Sequence, residues 1–367
     1  MSVDKMRILH TEASTGWGGQ EIRILDESAG LRARGHDVRV AAPAEAQIFS
    51  AAARWDVPVH AVALDRRGLG SLLSFAKLVR NFKPDVICTH SSSDSWIAAF
   101  ATRWPGTRAA IVRTRHLSTP VRAGALNRWL YGRVPARVVT TGEAIRMLLI
   151  QKLSLDPDKV VSIPTGANIE RFRPGDRMAA RAKLGLDGKG PVIGVVATLR
   201  SWKGHRFLIS ALSDPRLANA RLVIVGDGPQ DKVLREQAAP LGERVVFAGQ
   251  QNDVSPWLQA FDIFALPSTG NEGVPQALLQ AMASSLPVVT TPVGAIPELV
   301  KDGETGLLVP SEDPVSLAAA LARLLHDADL AARLGAAGRE YVVERHTSSA
   351  MLDEMEKVFR AAAAAPR

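Results

Sequence analysis

The chain is 367 residues long, 46% hydrophobic and 22% charged, which excludes a disordered chain and favours two domains over one core. No apolar run nears the ~18–20 residues of a membrane span, the opening MSVDKM lacks the apolar centre of a signal peptide, and the single cysteine, Cys88, excludes an internal disulfide and a cysteine-based metal site. The net charge of +8 points to an anionic partner, yet nucleic acid is not expected, because no zinc-finger, heptad or RNP-type pattern is present and aromatics make up only 5% of the chain.

In chain order the first half alternates short apolar runs with amphipathic ones. Strands are predicted at 6–10, 37–41, 57–62, 85–89, 109–112, 137–141 and 160–163, and helices at 18–31, 44–55, 72–82, 93–103, 124–131 and 143–152. This beat argues a parallel sheet covered on both faces. Residues 168–190 read as a seam of turn chemistry around a short helix at 177–184, with Pro174-Gly175 before it and DGKGP at 187–191 after it. The beat restarts with strands at 192–197, 221–225, 245–248, 261–266, 287–290 and 306–309, and helices at 205–212, 230–239, 254–260 and 274–284. Helices at 315–326, 329–344 and 349–361 close the chain. The expected architecture is α/β, two doubly wound halves at 1–178 and 190–345 with a helical tail at 346–367. Ligands of such sheets gather at the carboxyl ends of strands, and with two sheets the cleft between them is the default site.

The stretch PSTGNEGVPQALLQAM at 267–282 carries the most chemistry. It reads strand, loop, helix, with Pro275 at the first helical position, where its missing N–H removes no bond. The amides of Gly273, Val274, Gln276 and Ala277 would then point out of a helix N-terminus, a setting that favours anions. Glu272 at the same end would repel a phosphate, so it is expected to face hydroxyl groups of the same ligand. An anion joined to a polyol describes a nucleotide sugar. The bland alternative, an acid that only complements the helix dipole, stands beside this reading.

Between Arg103 and Arg146 lie Arg108, Arg113, Arg115, Arg122, Arg128, Arg133 and Arg137, with Glu143 the one acid. This is either a solvated face or a surface for anionic membrane lipid or a phosphorylated acceptor. Two histidines, His90 and His116, close expected strands and would sit at the cleft edge; His10 and Trp17 are weaker candidates of the same kind. GDGPQD at 226–231 misses a dinucleotide fingerprint by its last glycine and reads as a structural turn.

Several phrases together resemble the retaining nucleotide-sugar glycosyltransferases of family 4, which have the GT-B fold. They are Gly18-Gly19-Gln-Glu21, IPTGANIERF at 163–172, ATLRSWKG at 197–204, VGDGP at 225–229, the segment at 267–282, TPVGAIPE at 291–298 and DGETGLLV at 302–309. The resemblance spans essentially the whole chain. It implies two Rossmann-like domains facing across a cleft, with the last helix packed back on the first domain. It implies a donor site of Gly18, Gly19, Gly249, Gly273, Val274, Gln276 and Gln280, and catalytic roles for Glu272, His116, Lys203 and Arg200, with His116 contacting the transferred sugar. His90, Trp17, Arg113 and Arg115 are expected at the acceptor or cleft. Two positions depart from the family. Its second glutamate, which holds the nucleotide ribose, is Gln280 here, and an arginine five positions before Lys203 is Thr198, so Arg200 is expected to supply that charge.

Sugar transfer from a nucleotide sugar builds negative charge on the leaving phosphate. Lys203, Arg200 and the amides after Glu272 can take that charge, so no metal and no cofactor are expected beyond the donor, a UDP-sugar ahead of a GDP-sugar. Lys203 alone would read as an ordinary loop lysine. The expected function is retaining transfer to a hydroxyl of a lipid-linked or phosphorylated glycan acceptor, of the lipopolysaccharide type, by a cytoplasmic enzyme peripheral to the inner face of the membrane. The alternatives are a sugar-nucleotide epimerase or hydrolase on the same scaffold, and a non-catalytic binding protein that keeps the fold.

Overall fold

The computed structural model describes residues 5–103, 107–116, 118–119, 121–186, 190–270 and 272–365. Residues 187–189 of the expected seam and Asn271 of the 267–282 segment lie outside them. The chain divides into two compact units, Met1–Pro164 with Ser348–Arg367, and Thr165–Thr347.

The first unit holds seven strands: β1 (Arg7–Thr11), β2 (Asp37–Ala42), β3 (Val59–Ala61), β4 (Val86–Thr89), β5 (Ala110–Arg115), β6 (Arg137–Thr140) and β7 (Val160–Ser162). All pairs are parallel, in the order β3-β2-β1-β4-β5-β6-β7. β4 is buried at every position, as a strand covered on both faces must be, and its apolar run follows from that. The helix Ser348–Ala364 buries Met351, Leu352, Met355, Val358, Phe359 and Ala362 in one core with Ile8, Val38, Cys88 and Val112. It approaches the helix Gly19–Ala33 closely at Gly30, where a Cβ would stand 2.5 Å from Leu352 Cδ1. Glu356 ties it down, accepting from Arg34 at 2.7 Å and bonding His36 at 2.6 Å.

The second unit holds β8 (Val192–Val196), β9 (Arg221–Val225), β10 (Val245–Gly249), β11 (Ile263–Leu266), β12 (Val288–Thr290) and β13 (Leu307–Leu308), again parallel, in the order β10-β9-β8-β11-β12-β13. Both sheets reverse direction beside their first strand, the doubly wound arrangement in which ligands bind at the switch point.

Residues 165–178, read from the sequence as part of the first domain, fall with the second unit. Phe172 is buried in that unit's core, and Ala167 donates its N–H to His346 O at 2.7 Å, so the chain joins the second core before the seam. Three local departures follow from tertiary packing. The helix foreseen at 44–55 is a short α-helix, Gln47–Ala51, continued as a 3-10 turn, Ala52–Trp55. The one at 124–131 is Ala125–Arg128 followed by a π-turn, Trp129–Arg133. A short helix, Ile296–Leu299, was not foreseen. No helix among the described residues is long and apolar enough to cross a membrane.

Candidate functional site

In the second unit β8 and β11 are neighbours on opposite sides of the switch point. The loop after β8 carries Arg200 and Lys203, and the loop after β11 carries Glu272. The two loops are locked together by the Thr269 N–H donating to Trp202 O at 2.7 Å and by close packing at Gly204. With φ +73°, Gly204 places its missing Cβ 1.8 Å from Pro267 O, so only glycine fits. Glu272 is fixed in the same way from its other side: Gly294, φ +59°, stands where a Cβ would be 2.1 Å from Glu272 O.

The result is a buried carboxylate with chosen partners. Lys203 Nζ donates to Glu272 Oε1 at 2.7 Å and to Oε2 at 2.9 Å, and Ser268 Oγ donates to Oε1 at 2.6 Å. Glu272 is 5% exposed and Lys203 20% exposed at the side chain. A lysine that the sequence could have left in solvent is thus an ion-pair partner.

The helix that follows is Gln276–Ala283, and Pro275 is its N-cap, with φ −70° and ψ 122°, not its first helical residue. This corrects the expectation by one position, because the residue before the first helical turn is extended. Among the described residues the N–H groups of Gly273, Val274 and Ala277 have no backbone acceptor, which leaves a donor-rich edge beside Glu272. Gln276 and Gln280 are buried one turn apart on this helix. Arg200 does not join Lys203: it is exposed, with its guanidinium 5.3 Å from the Trp202 ring centre. Gly249, at φ +68°, ends β10, and its carbonyl accepts the Gly226 N–H at 2.9 Å. β9 separates β10 from β8 in the sheet, and among the described residues no hydrogen bond links Gly249 to Lys203 or Glu272.

In the first unit the switch point lies between β1 and β4. Gly18 is the extended N-cap of Gly19–Ala33. The loop before it is held by Glu12, whose carboxylate accepts from Ala13 N at 2.8 Å, Ser14 N at 2.7 Å and Gln20 Nε2. Burial, then the Glu21 and Asp94 charges, push the Glu12 carboxyl up. Trp17 packs near Trp55, ring centres 6.1 Å apart.

Three buried histidines then form a chain. His10 Nδ1 meets His90 Nε2 at 3.0 Å, and His90 Nδ1 meets His116 Nε2 at 2.9 Å. Burial lowers all three, His10 to about 3 with help from Arg23. Asp94, also buried, fixes the end of β4 by accepting from His90 N at 2.9 Å and Thr11 Oγ1 at 2.7 Å. The donor atoms of His10, Cys88 and His90 lie within 4.8 Å of one another, a grouping the linear sequence does not show. Two of its imidazoles already bond each other, and the Cys88 thiol, pushed up by burial, contacts Thr114 Oγ1 at 3.4 Å.

The arginine run divides. Arg113 is buried with its guanidinium 3.7 Å from the Tyr131 ring centre. Arg115 donates to Thr119 O at 2.6 Å and to Tyr131 Oη at 3.3 Å. Arg113 belongs to the interior of the unit, and Arg115 is half-buried. Arg108, Arg122, Arg128 and Arg133 are exposed, and Leu126 beside them is 69% exposed.

Sequence reasoning paired Ser91–Asp94 with His90 as weaker cleft candidates but missed Ser268, Glu12, Arg23 and Glu27. A signal existed for Ser268 and Glu12, since each is a polar residue within a few positions of a strand's carboxyl end.

Residues 17–171 match the family model described as Glycosyltransferase Family 4, and residues 190–327 that described as Glycosyl transferases group 1. A phosphatidyl-myo-inositol mannosyltransferase of Mycobacterium leprae is 29% identical over 370 residues, 94% of each chain. A D-inositol 3-phosphate glycosyltransferase of Saccharomonospora viridis is 31% identical over 317 residues, 77% of this chain and 71% of that one. Among solved structures, the Anabaena protein HepE in complex with UDP-glucose superposes with a TM-score of 0.85 at 23% identity, over 97% of this chain and 100% of that one, a likeness of fold.

Proposed function

The chain belongs to the family 4 glycosyltransferases, and from that premise we propose that it moves a sugar, with retention, from a nucleoside-diphosphate sugar to a hydroxyl of a lipid-linked or phosphorylated acceptor of the cell envelope. The observation that carries this is the Lys203–Glu272 pair at the carboxyl ends of β8 and β11. An ammonium, a carboxylate and nearby amides with no backbone acceptor among the described residues suit a ligand that is anionic at one end and hydroxylated at the other. The diphosphate takes Lys203 and the amides of Gly273, Val274 and Ala277, and the sugar hydroxyls take Glu272. Gln280 holds the ribose through its amide oxygen.

In the transfer step the bond from the anomeric carbon to the phosphate oxygen breaks while a bond to the acceptor oxygen forms on the same face. The acceptor proton passes to the departing phosphate oxygen. Glu272 already accepts from Lys203 and Ser268, which suits a hydrogen-bonding role better than attack on carbon. Lys203 balances the leaving charge, with no need for a metal in this scheme.

A uridine donor is favoured by the HepE complex with UDP-glucose, and a phosphorylated inositol-type acceptor by the names of the two relatives. The exposed Arg122, Arg128 and Arg133 around Leu126 suit a peripheral contact with anionic lipid at the cytoplasmic face of the membrane. The test is a thermal-shift screen against UDP and GDP, followed by transfer assays with the corresponding sugar donors. No shift with either nucleotide at saturating concentration overturns the reading, as does a covalent sugar trapped on a carboxylate for the same-face step. Absence of binding to anionic vesicles at low salt overturns the membrane contact.

A further inference from the structure

The three-histidine chain has a direction, and the structure shows what sets it. Each neutral imidazole carries one N–H and one lone pair. Two hydrogen bonds linking three such rings must therefore run the same way, either from His10 toward His116 or from His116 toward His10. The ends decide which. At one end His10 Nε2 faces Glu27 Oε1 at 3.8 Å. Glu27 Oε2 lies 3.6 Å from Arg23 Nε, and both side chains are 1% exposed. A buried guanidinium keeps its proton and needs a counter-charge, so Glu27 is a carboxylate beside it once the pH exceeds the range, pushed up to about 7 by burial, in which it takes a proton. At the other end, His116 Nδ1 has no protein partner among the described residues.

We propose that the buried Arg23–Glu27 pair fixes the tautomer of His116 through His10 and His90, leaving His116 Nδ1 as a bare hydrogen-bond acceptor. A carboxylate beside His10 Nε2 attracts an N–H and repels a lone pair. His10 is then protonated on Nε2 and accepts at Nδ1. His90 donates from Nε2 to His10 and accepts at Nδ1, and His116 donates from Nε2 to His90. His10 and His90 lie edge to edge and nearly coplanar, ring centres 5.3 Å apart and planes 18° apart, and the Phe359 ring stands edge-on 6.1 Å from His10, a packing that resists turning the rings over. Glu27, His10 and His90 are positioning residues: none needs to touch a ligand.

The consequence for transfer rests on the proposed function. Where a sugar meets His116, Nδ1 accepts a hydrogen bond from a hydroxyl and cannot donate one, so the position selects a free hydroxyl over an ether or a carbonyl oxygen. The tautomer itself does not rest on that reading.

The experiment is long-range nitrogen–proton correlation of the imidazoles in uniformly labelled wild-type chain, in alkaline buffer above the range where Glu27 takes a proton. The expected spectrum has His10, His90 and His116 all protonated on Nε2, with a pyridine-type Nδ1. Glu27→Gln presents an amide N–H to His10 Nε2 and reverses all three rings. In transfer assays it lowers kcat/KM by about tenfold, the loss of one hydrogen bond, while nucleoside-diphosphate affinity is unchanged. The wild-type spectrum needs no variant to fold: His116 protonated on Nδ1, or averaging between two tautomers, overturns the proposal. So does a Glu27→Gln spectrum that keeps the wild-type pattern. The expected tautomers in a protein that uses no nucleotide sugar would sink the proposed function alone; the opposite tautomers in an active transferase would sink only this inference.

Discussion

Lys203 and Glu272 are 69 positions apart in the chain and meet as an ion pair, with Lys203 Nζ 2.7 Å and 2.9 Å from the two carboxylate oxygens. Each keeps the other in place until a ligand competes for both. Separating their jobs is the most direct test of the site. Lys203→Ala is expected to abolish the thermal shift given by UDP or GDP and to lower kcat by about a hundredfold, ~3 kcal/mol of transition-state stabilisation. Glu272→Gln is expected to keep the nucleotide shift and lose turnover by a similar factor, because only the sugar end is affected. Equal loss of nucleotide binding in both variants would contradict the division of roles.

Gly294 and Gly303 allow strain and displacement to be told apart. Both have positive φ, +59° and +71°, yet a Cβ at Gly294 would strike Glu272 O at 2.1 Å while one at Gly303 meets nothing within 4 Å. Alanine at either position is expected to cost ~1–3 kcal/mol of stability through backbone strain. Only Gly294→Ala is expected to depress kcat further, at least tenfold, since it must push Glu272 off its partners. Urea unfolding and steady-state kinetics on the two variants decide this.

Gln280 is buried on the helix Gln276–Ala283, where a charged acceptor would bind ribose hydroxyls more strongly than an amide. Gln280→Glu is expected to tighten UDP binding about fivefold, ~1 kcal/mol, at some loss of melting temperature from the added buried charge. Titration calorimetry with UDP and with its 2′,3′-dideoxy analogue checks it. The gain should vanish for the analogue that has no ribose hydroxyls.

Acid should unfold the first unit in two stages. Burial, with Arg23 added, lowers His10 to about 3, and His90 and His116 are lowered for the same leading reason. In the unfolded chain imidazoles protonate near ~6.5. Between those values the unfolded state binds more protons, so this stability is present above ~6.5 and is lost as pH falls. Three buried carboxyls oppose it, Asp94 being raised by burial along with the two glutamates. Glu27 is pushed up to about 7 by burial despite Arg23, and Glu12 is also raised. Their contribution is present below ~4.5 and is lost as pH rises through their folded values. The decline should therefore be gentle from about pH 6.5 to about pH 4.5 and steepen below, where the carboxyls are protonated in both states. Urea midpoints across that range measure it, and a decline that is steepest above ~pH 5 would contradict the assignment.

The alternation of elements, both parallel sheets and the family were legible because they are local or repetitive signals. Val86-Ile-Cys88 and Val192-Ile193 are apolar on both faces only in a covered parallel strand, and the phrases around Lys203 and Glu272 lie at strand ends that periodicity alone locates. The tail helix was legible from Met351, Leu352, Met355, Val358 and Phe359 at helical spacing. What was not legible has one cause. His10 and His90 are 80 positions apart, and His90 and His116 are 26 apart; they touch because β1, β4 and β5 lie side by side in the sheet order. Strand order is a global outcome of packing, and no window of sequence carries it.

The sequence by itself determined which residue types stand at the strand ends: a lysine, two histidines, a glutamate behind a glycine-rich loop. Only the tertiary structure decided who faces whom. It paired Lys203 with Glu272, sent Arg200 to Trp202 and Arg113 to Tyr131, and chained three imidazoles with their His10 end 3.8 Å from buried Glu27. The reason is energetic as well as geometric. A charge withdrawn from water must find a partner or be neutralised, and which partner is within reach is known only once the sheets have formed.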